Sequence, residues 1–531
     1  MAWITARGVG DGRLRTCSAT VTSTSRERAM SMRFPSRVAL RVAAPVALFV
    51  ALASWAISSP VGSSPDDDYH MASIWCGQGV REGLCEQGAE DDLFAVPAAA
   101  VLASECFAFD PAVSAACTEE VQGGLIETRR SNASDGKYPD VFYGVMSLFA
   151  TPDVSSSVVT MRLFTAFLFT AFTTALCYLL PVRIRPAYVW GALATSVPLG
   201  MFIVPSVNPS GWAVLAAVTL WAATLGWLTE SDRRRWIALG ALAALACVAG
   251  AGARGDAAVY GVMAMTAAAI VGFSKTRSYR LRLLLPFALT LLSIVLFFTA
   301  GQGSVADPSG LGQGTPWSQT VALAITNLQL LPELWIGVLG FWGLGWLDTE
   351  MPGIVWVTTV AVVGALIVIG LKHADRLKML GVGMVFTALI VIPMYILTND
   401  EVLVGSYVQP RYIQPILIVL VGLALLRVHS GRRLLSRGQA MMIVIGLSVA
   451  NAVALHINLR RYVTGTDVFG LNLDNATEWW WALPFGPMWV WAAGSVAFAA
   501  LLVLTSPLLV TAVSADTARE ASPRAAELTS S

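Results

Sequence analysis

Stretches of about twenty apolar residues recur along almost the whole of this chain, and each is long enough to cross a hydrocarbon core of ~30 Å as a helix. A backbone inside such a core must close its own hydrogen bonds. The expected fold class is therefore all-α, a polytopic transmembrane helical bundle. Composition agrees: 56% of the 531 residues are hydrophobic and 13% are charged, against a usual globular charged share of about 25%. A net charge of +1 argues against nucleic acid as a partner.

The spans are expected at 38–58, 158–181, 187–205, 211–228, 236–252, 257–273, 283–301, 353–371, 379–397, 413–427, 440–457 and 485–508, about twelve in all. Basic residues then fall in alternate connections: Arg183/Arg185, Arg233–Arg235, Lys275–Arg282, Lys372–Lys378 and Arg427–Arg437, with Arg33, Arg37 and Arg41 before the first span. This alternation predicts a multi-pass protein of the plasma membrane with both termini in the cytoplasm. Segment 317–347 suits interfacial helices or an extra hairpin. Residues 1–37 lack periodicity and are expected to form a disordered cytoplasmic N-terminus. The transmembrane domain is expected to cover 38–508, including an extracytoplasmic loop at 59–157, and 509–531 to form a disordered tail. No cleavage site follows the first span, which reads as an anchor.

Four of the seven cysteines, Cys76, Cys85, Cys106 and Cys117, lie in the long loop. An even number on the oxidising side predicts two disulfides, with Cys76–Cys85 and Cys106–Cys117 the simplest of three connectivities. None of the seven has zinc-site spacing. Charge is nearly absent inside the spans; Arg162 and His456 stand at their outer ends. That counts against an ion-coupled transporter, which keeps carboxylates or histidines at mid-membrane. The polar residues gather instead at the outer ends of the spans, in "PDDDYH", "KYPDVFY", "VNPSGW", "ARGD", "GWLDTEMP" and "VQPRYIQP". Arg162, Arg254 and Arg411 all face the side where cations are disfavoured, beside acidic loops. Together they predict a polar chamber at the outer leaflet.

The stretch "SSPDDDYHMASIWC" (63–76) reads first as the start of a helix. Ser64 suits the N-cap, Pro65 the first helical position and Asp67 the acidic place of a capping box. Met71, Ile74 and Trp75 then share one face, as in an interfacial amphipathic helix. Opposite them Asp66, His70, Ser73 and Gly77 follow i, i+4, i+7, i+11. A carboxylate and an imidazole one turn apart can form an acid–base pair or share a metal. No cofactor is required by the sequence. A divalent cation on Asp66, Asp67 and Asp68 is conceivable, although three consecutive helical residues cannot all point at one ion.

At these residues the chain resembles a bacterial family of polytopic membrane proteins of unassigned function, whose first outer loop opens with P-D-E-x-x-H and which is related to the glycosyltransferase C superfamily. The similarity runs from about residue 38 to 505. Asp66 and His70 match the motif's Asp and His, with Asp67 where Glu is usual. "YPDVFY" (138–143) is similar to its Y-P-P-x-x-Y element and "VNPSGW" to its N-P-D stretch, with Ser210 for Asp. "GWLDTEMP" (345–352) and "PRYIQP" (410–415) are similar to its G-W-x-D-x-x-x-P and G-R-Y-x-x-P elements.

The resemblance implies a glycosyltransferase C-like fold and a sugar donor on polyprenyl phosphate. It also implies an envelope glycan as acceptor, and membrane lipid around the spans. A phosphate leaving group needs cationic stabilisation, and an acceptor hydroxyl needs a base. Asp66, with His70 or Asp67, is the candidate base, its pKa raised by like-charge crowding. Arg254 and Arg411 are candidate phosphate ligands. Tyr138, Arg162, Asn208, Asp256, Asp348 and Tyr412 complete the candidate substrate-binding set. Asp348 also fits a helix cap or turn, and Asp256 an ion pair with Arg254 or Arg411. Tyr138, Tyr143 and "EWWWALP" (478–484) also fit an interfacial aromatic belt. The alternative to a transferase is a non-catalytic flippase for lipid-linked sugars or an envelope-assembly protein.

Overall fold

The computed structural model describes residues 37–121, 123–301, 316–406, 408–426 and 434–510. The expected disordered ends lie outside the described residues except for residue 37 and residues 509–510, as do Arg33 and most of the Arg427–Arg437 cluster.

The membrane-type helices are α1 (Arg37–Ala56), followed after the loop by α4 (Val154–Leu179), α5 (Ser210–Thr229), α6 (Arg233–Ala251), α7 (Gly255–Val271) and the helical segment Arg277–Thr299. Further along come α8 (Trp317–Gly337), α9 (Gly353–Leu371), α10 (Arg376–Asn399), α11 (Pro410–Leu425), α12 (Arg437–Val463) and α13 (Pro487–Thr505). The loop between α1 and α4 carries two short helices that matter below, α2 (Asp67–Trp75) and α3 (Asp140–Met146).

Among the described residues, eight helices are long and apolar enough to cross a membrane. They coincide with eight of the twelve expected spans. The other four are short or broken. The apolar part of α1 is Val42–Ala56, α7 has 17 residues and α11 has 16. The expected span 187–205 divides into Arg185–Ala194 and Leu199–Ile203, where Pro198 supplies no N–H to continue the first helix. Helix α11 is buried along nearly its whole length, so protein and not lipid surrounds it. Segment 317–347 forms α8, which contains Pro332, and a turn closed by pairing of Leu344 with Thr349; α8 is not among the eight.

The bundle is graded from centre to rim. In α5, 94% of the apolar window is buried, against 17% for Arg277–Thr299, so the first is core and the second presents its side chains outward. Leu284, Phe287, Leu291, Val295 and Phe298 are exposed there, and Ile354, Val357 and Val368 on α9. Apolar surface on this scale is stable only against lipid or a partner.

Loop 57–153 departs from the all-α expectation. It contains a small antiparallel sheet, β1 (Glu86–Gln87), β2 (Phe94–Pro97) and β3 (Leu125–Thr128), in the order β1-β2-β3 with Val96 opposite Ile126. It has its own apolar core, in which Met71, Ile74 and Trp75 of α2 meet Phe142 and Met146 of α3, Met161 of α4 and Trp212 of α5. Cys76 pairs with Cys85 and Cys106 with Cys117. The loop is thus a cap packed onto one end of the bundle, and α2 is enclosed by it; the apolar face expected to lie along a membrane interface packs against protein.

Candidate functional site

The segment leading into α2 is pinned from several sides. The Arg162 guanidinium donates to the carbonyls of Ala56, Ser59 and Pro60 at 3.1, 2.6 and 2.7 Å and to Ser63 Oγ at 3.0 Å. Ala56 is the last residue of α1, so its carbonyl is one left open where the helix ends, and a cation there also matches the helix dipole; Ser59 and Pro60 belong to the turn that follows. Asn208 donates to Pro65 O at 2.8 Å and accepts from Ser210 N at 2.9 Å, and Trp346 donates to Gly62 O. Arg162 and Asn208 therefore support the loop that carries the site, and both are buried.

Helix α2 begins at Asp67, three residues after Ser64. Half of the expected capping box forms: Ser64 N donates to Asp67 Oδ2 at 2.9 Å. Asp66 lies just outside the helix at φ 59°, ψ 21°, a left-handed conformation that Asp tolerates better than most residues. The three aspartates point three ways. Asp66 reaches Arg411 and Arg130, Asp67 turns inward to Ser64, and Asp68 pairs with Arg130. Among the described residues no group of three or more His, Cys, Asp or Glu is arranged to hold a metal ion.

The expected polar stripe divides in two. Its first half, Asp66 and His70, faces the site. Its second half is packing: Ser73 Oγ donates to Tyr69 O and accepts from Asn132 N, and a Cβ on Gly77 would lie 2.5 Å from Tyr143 O. That close approach places the Tyr143 hydroxyl 2.9 Å from His70 Nδ1, while His70 Nε2 is buried without a partner. Tyr138 meets the His70 ring edge-on at 5.3 Å. Asn132 fixes the Tyr138 turn by accepting from its N–H at 2.6 Å and donating to its carbonyl at 3.0 Å. Tyr143 and Tyr138 thus belong to the site's wall. In the "EWWW" run, Trp479 is buried and Trp481 donates to Ile57 O, so these rings pack the cap.

Arg254 and Arg411 both stack over one ring, that of Tyr412. Their guanidinium carbons lie 4.7 and 4.8 Å from the centre of Tyr412, and Arg254 also lies 5.6 Å from Tyr138. Arg254 is fully engaged: Nε and Nη2 hold Asp256 in a two-pronged pair at 2.9 and 2.8 Å, and Nη1 donates to Ser210 Oγ at 3.3 Å. Arg411 is not. Its Nη2 donates to Asp66 Oδ2 at 2.5 Å and to Tyr412 Oη at 2.8 Å, whereas Nε and Nη1 are buried without partners. Arg411 is 3% exposed and the Asp66 side chain 37%, so the pair opens on the Asp66 side.

Asp66, Ser210, Arg254 and Arg411 share one property: each stands at or next to the start of a helix (α2, α5, α7 and α11), and Tyr138 lies two residues before the start of α3. Helix starts present unpaired N–H groups and a partial positive charge. Their convergence with two arginines makes a field that favours anions.

Electrostatics separate Asp66, Asp67 and His70. Burial pushes the Asp66 carboxyl up, but the guanidiniums around it, Arg411 foremost, outweigh this and hold it below its ordinary value. Like-charge crowding therefore does not raise it. Burial pushes Asp67 up to about 7 against the pull of Arg162. Burial pushes His70 down to about 3; Asp66 opposes this and Arg254 adds to it, so the imidazole is neutral near pH 7.

Asp348 lies elsewhere. It pairs with Arg461 at 2.8 Å, accepts from Phe109 N at 3.1 Å and from Thr349 Oγ1, and so joins the cap to α12 and to the 344–349 turn. Of the expected site residues, the structure brings together Asp66, His70, Tyr138, Arg254, Asp256, Arg411 and Tyr412. It sets Arg162, Asn208, Asp67 and Asp348 in supporting positions. Arg130, Asn132, Tyr143 and Ser210 also belong to the site; a pair of arginines (129–130) in an acidic loop was the one available signal for Arg130.

Fold and site define a polytopic helical membrane protein with a disulfide-bridged cap over an arginine–carboxylate–tyrosine centre. The chain belongs to the family described as Predicted membrane protein (DUF2142), which matches residues 49–420. No curated protein and no solved structure matches it.

Proposed function

We propose that this protein is a membrane glycosyltransferase that moves a sugar from polyprenyl phosphate to a cell-envelope glycan on the extracytoplasmic side, with both termini in the cytoplasm. The observation that carries the reading is the half-engaged Arg411 at the meeting of four helix starts, next to a carboxylate and a neutral imidazole. An anionic phosphate is the ligand such a field favours.

In this reading Arg411 receives the donor phosphate, while Arg254, held by Asp256, adds charge without leaving its place. The Tyr138 and Tyr412 rings keep both guanidiniums oriented. The acceptor hydroxyl oxygen bonds to the anomeric carbon as the bond from that carbon to the phosphate oxygen breaks. The hydroxyl proton passes to Asp66, or to His70 Nε2, and polyprenyl phosphate leaves as the stabilised anion. Tyr143 fixes the His70 ring through Nδ1.

The test is release of polyprenyl phosphate by the purified protein from a panel of polyprenyl-phosphate sugars, with and without glycan acceptors. Acceptor-dependent release is expected, falling roughly 10²–10³-fold in Asp66→Asn, the size typical of removing a catalytic base or oxyanion partner. Lipid binding without release from any donor would overturn the transferase reading in favour of a carrier.

A further inference from the structure

A guanidinium has two edges on which it can grip an anion with two parallel hydrogen bonds, Nε–Nη2 and Nη1–Nη2. Both use Nη2. In Arg411 the two Nη2 hydrogens are occupied, one by Asp66 Oδ2 and the other by Tyr412 Oη, while Nε and Nη1 have no partner. The nitrogens needed for a two-pronged grip are therefore present and buried, but the shared one is blocked. The occupant that matters is Asp66, because a phosphate arriving beside an ionised carboxylate meets like-charge repulsion, whereas a neutral tyrosine hydroxyl offers none.

Asp66 has somewhere to go. Its other oxygen, Oδ1, lies 3.4 Å from Arg130 Nη2. Arg130 is itself anchored by Asp68, through Nε to Oδ2 and Nη2 to Oδ1. Arg130 is half-exposed while Arg411 is buried, so the carboxylate stands between an outer and an inner guanidinium. The Asp66 carbonyl accepts from Tyr69 N and His70 N and so holds the backbone to α2, while its side chain makes no capping bond to the helix and is left to the two guanidiniums.

We propose that Asp66 is the resident anion of Arg411, exchanged for the incoming phosphate group, and that Arg130 is the positioning residue that receives the displaced carboxylate. This deepens the transferase reading and rests on it for the identity of the ligand. Phosphate entry and release of the base become one event, since the carboxylate becomes available for an acceptor proton only once Arg411 has taken the phosphate.

The experiment is equilibrium binding of a polyprenyl monophosphate and, separately, of inorganic phosphate to the full-length protein in detergent. Four forms are compared: wild type, Asp66→Asn, Arg130→Ala and the double variant. Asn is chosen because it tolerates the left-handed backbone, and unchanged thermal midpoints certify folding. Asp66→Asn is expected to bind the lipid phosphate roughly tenfold tighter or more, as removal of a like charge implies. Arg130→Ala is expected to weaken binding in the wild-type background and to have no effect in the Asp66→Asn background. Tightening toward inorganic phosphate alone would assign the exchange to a free anion and overturn the lipid-linked version.

Equal or weaker binding by Asp66→Asn, or no binding by any form, overturns the exchange. Equal weakening by Arg130→Ala in both backgrounds overturns the handover, making Arg130 a direct phosphate ligand. The two readings fail separately. Tighter binding with no turnover by wild type on any donor removes the transferase and leaves the exchange; turnover by wild type without tighter binding does the reverse.

Discussion

Two buried arginine–aspartate pairs lie on the same end of this bundle and do different things. Arg461 is fully buried, and both its terminal nitrogens are bonded: Nη1 to Val113 O and Nη2 to Phe107 O and Asp348. Asp348 in turn accepts from Phe109 N and Thr349. Arg411 is nearly as buried, yet only Nη2 is bonded and its aspartate is partly open. Backbone strain does not tell the two apart, since Asp66, Phe109 and Leu347 all have positive φ near 60–70°. Completeness of partners does. Arg461 leaves one nitrogen, Nε, without a partner, and Arg411 leaves two, Nε and Nη1; a buried charge with both terminal nitrogens bonded holds structure together, and one with a terminal nitrogen open is available for a ligand.

The sharpest way to break this contrast is to truncate both aspartates and compare stability. Asp348→Ala strands the Arg461 charge and is expected to cost about 3–5 kcal/mol, the usual penalty for breaking a buried pair. Asp66→Asn keeps an acceptor beside Arg411 at a half-open position and is expected to stay within about 1 kcal/mol. Thermal unfolding in detergent measures both. Equal losses would mean that the two pairs are structurally equivalent.

A second test concerns only the Arg461–Asp348 pair, which latches the cap to α12. The Cys106–Cys117 disulfide encloses both carbonyls, Phe107 O and Val113 O, that Arg461 binds. Replacing both cysteines with serine is expected to cost about 2–4 kcal/mol. The effect should shrink in the Asp348→Ala background, and anion binding at Arg411 should be unchanged. Equal loss in both backgrounds would uncouple disulfide and latch.

Much of the site was legible because its residues mark helix starts. "SPDDD", "YPD", "NPS" and "QPR" each place Pro beside a short polar residue or Arg where a helix begins, so the polar punctuation of the sequence became the convergence of α2, α3, α5 and α11. What was illegible was pairing across the chain. Arg130 follows β3 and meets Asp66 from 64 positions away. Arg461 meets Asp348 from 113. Neither distance leaves a periodic trace. Lys378 reads in the sequence as a basic loop residue, yet its ammonium is buried between Gly370 O and Leu426 O, where it ties the ends of α9 and α11. The cap's strands, two to four residues long, are too short for alternation to register.

The approach of α3 to α2 can be tested at Gly77. A Cβ there would sit 2.5 Å from Tyr143 O, a backbone atom that cannot swing aside. Gly77→Ala is expected to cost about 1–3 kcal/mol, as overpacking does. It should also draw the Tyr143 hydroxyl away from His70, lowering turnover more than lipid-phosphate binding. A variant that loses both in proportion would place Gly77 in the scaffold only.

The pH response is the most diagnostic, because two groups one turn apart on α2 respond in opposite directions and largely offset each other in the wild type. His70 is held at about 3 against an unfolded value of 6.5, chiefly by burial. Its contribution to stability is present above pH 6.5 and is lost as pH falls toward 3. Asp67 is held at about 7 against 3.8, again by burial. Its contribution is present below pH 3.8 and is lost as pH rises toward 7. Within each window the slope is at most about 1.4 kcal/mol per pH unit. Thermal midpoints at pH 7, 6, 5 and 4 separate the two. Relative to wild type, His70→Gln should gain stability as pH is lowered, and Asp67→Asn should gain as pH is raised. Parallel trends in the two variants would mean that global charge, and not the burial of these two side chains, governs the response. The enclosed α2 on which the site is built would then be more open to water than its packing implies.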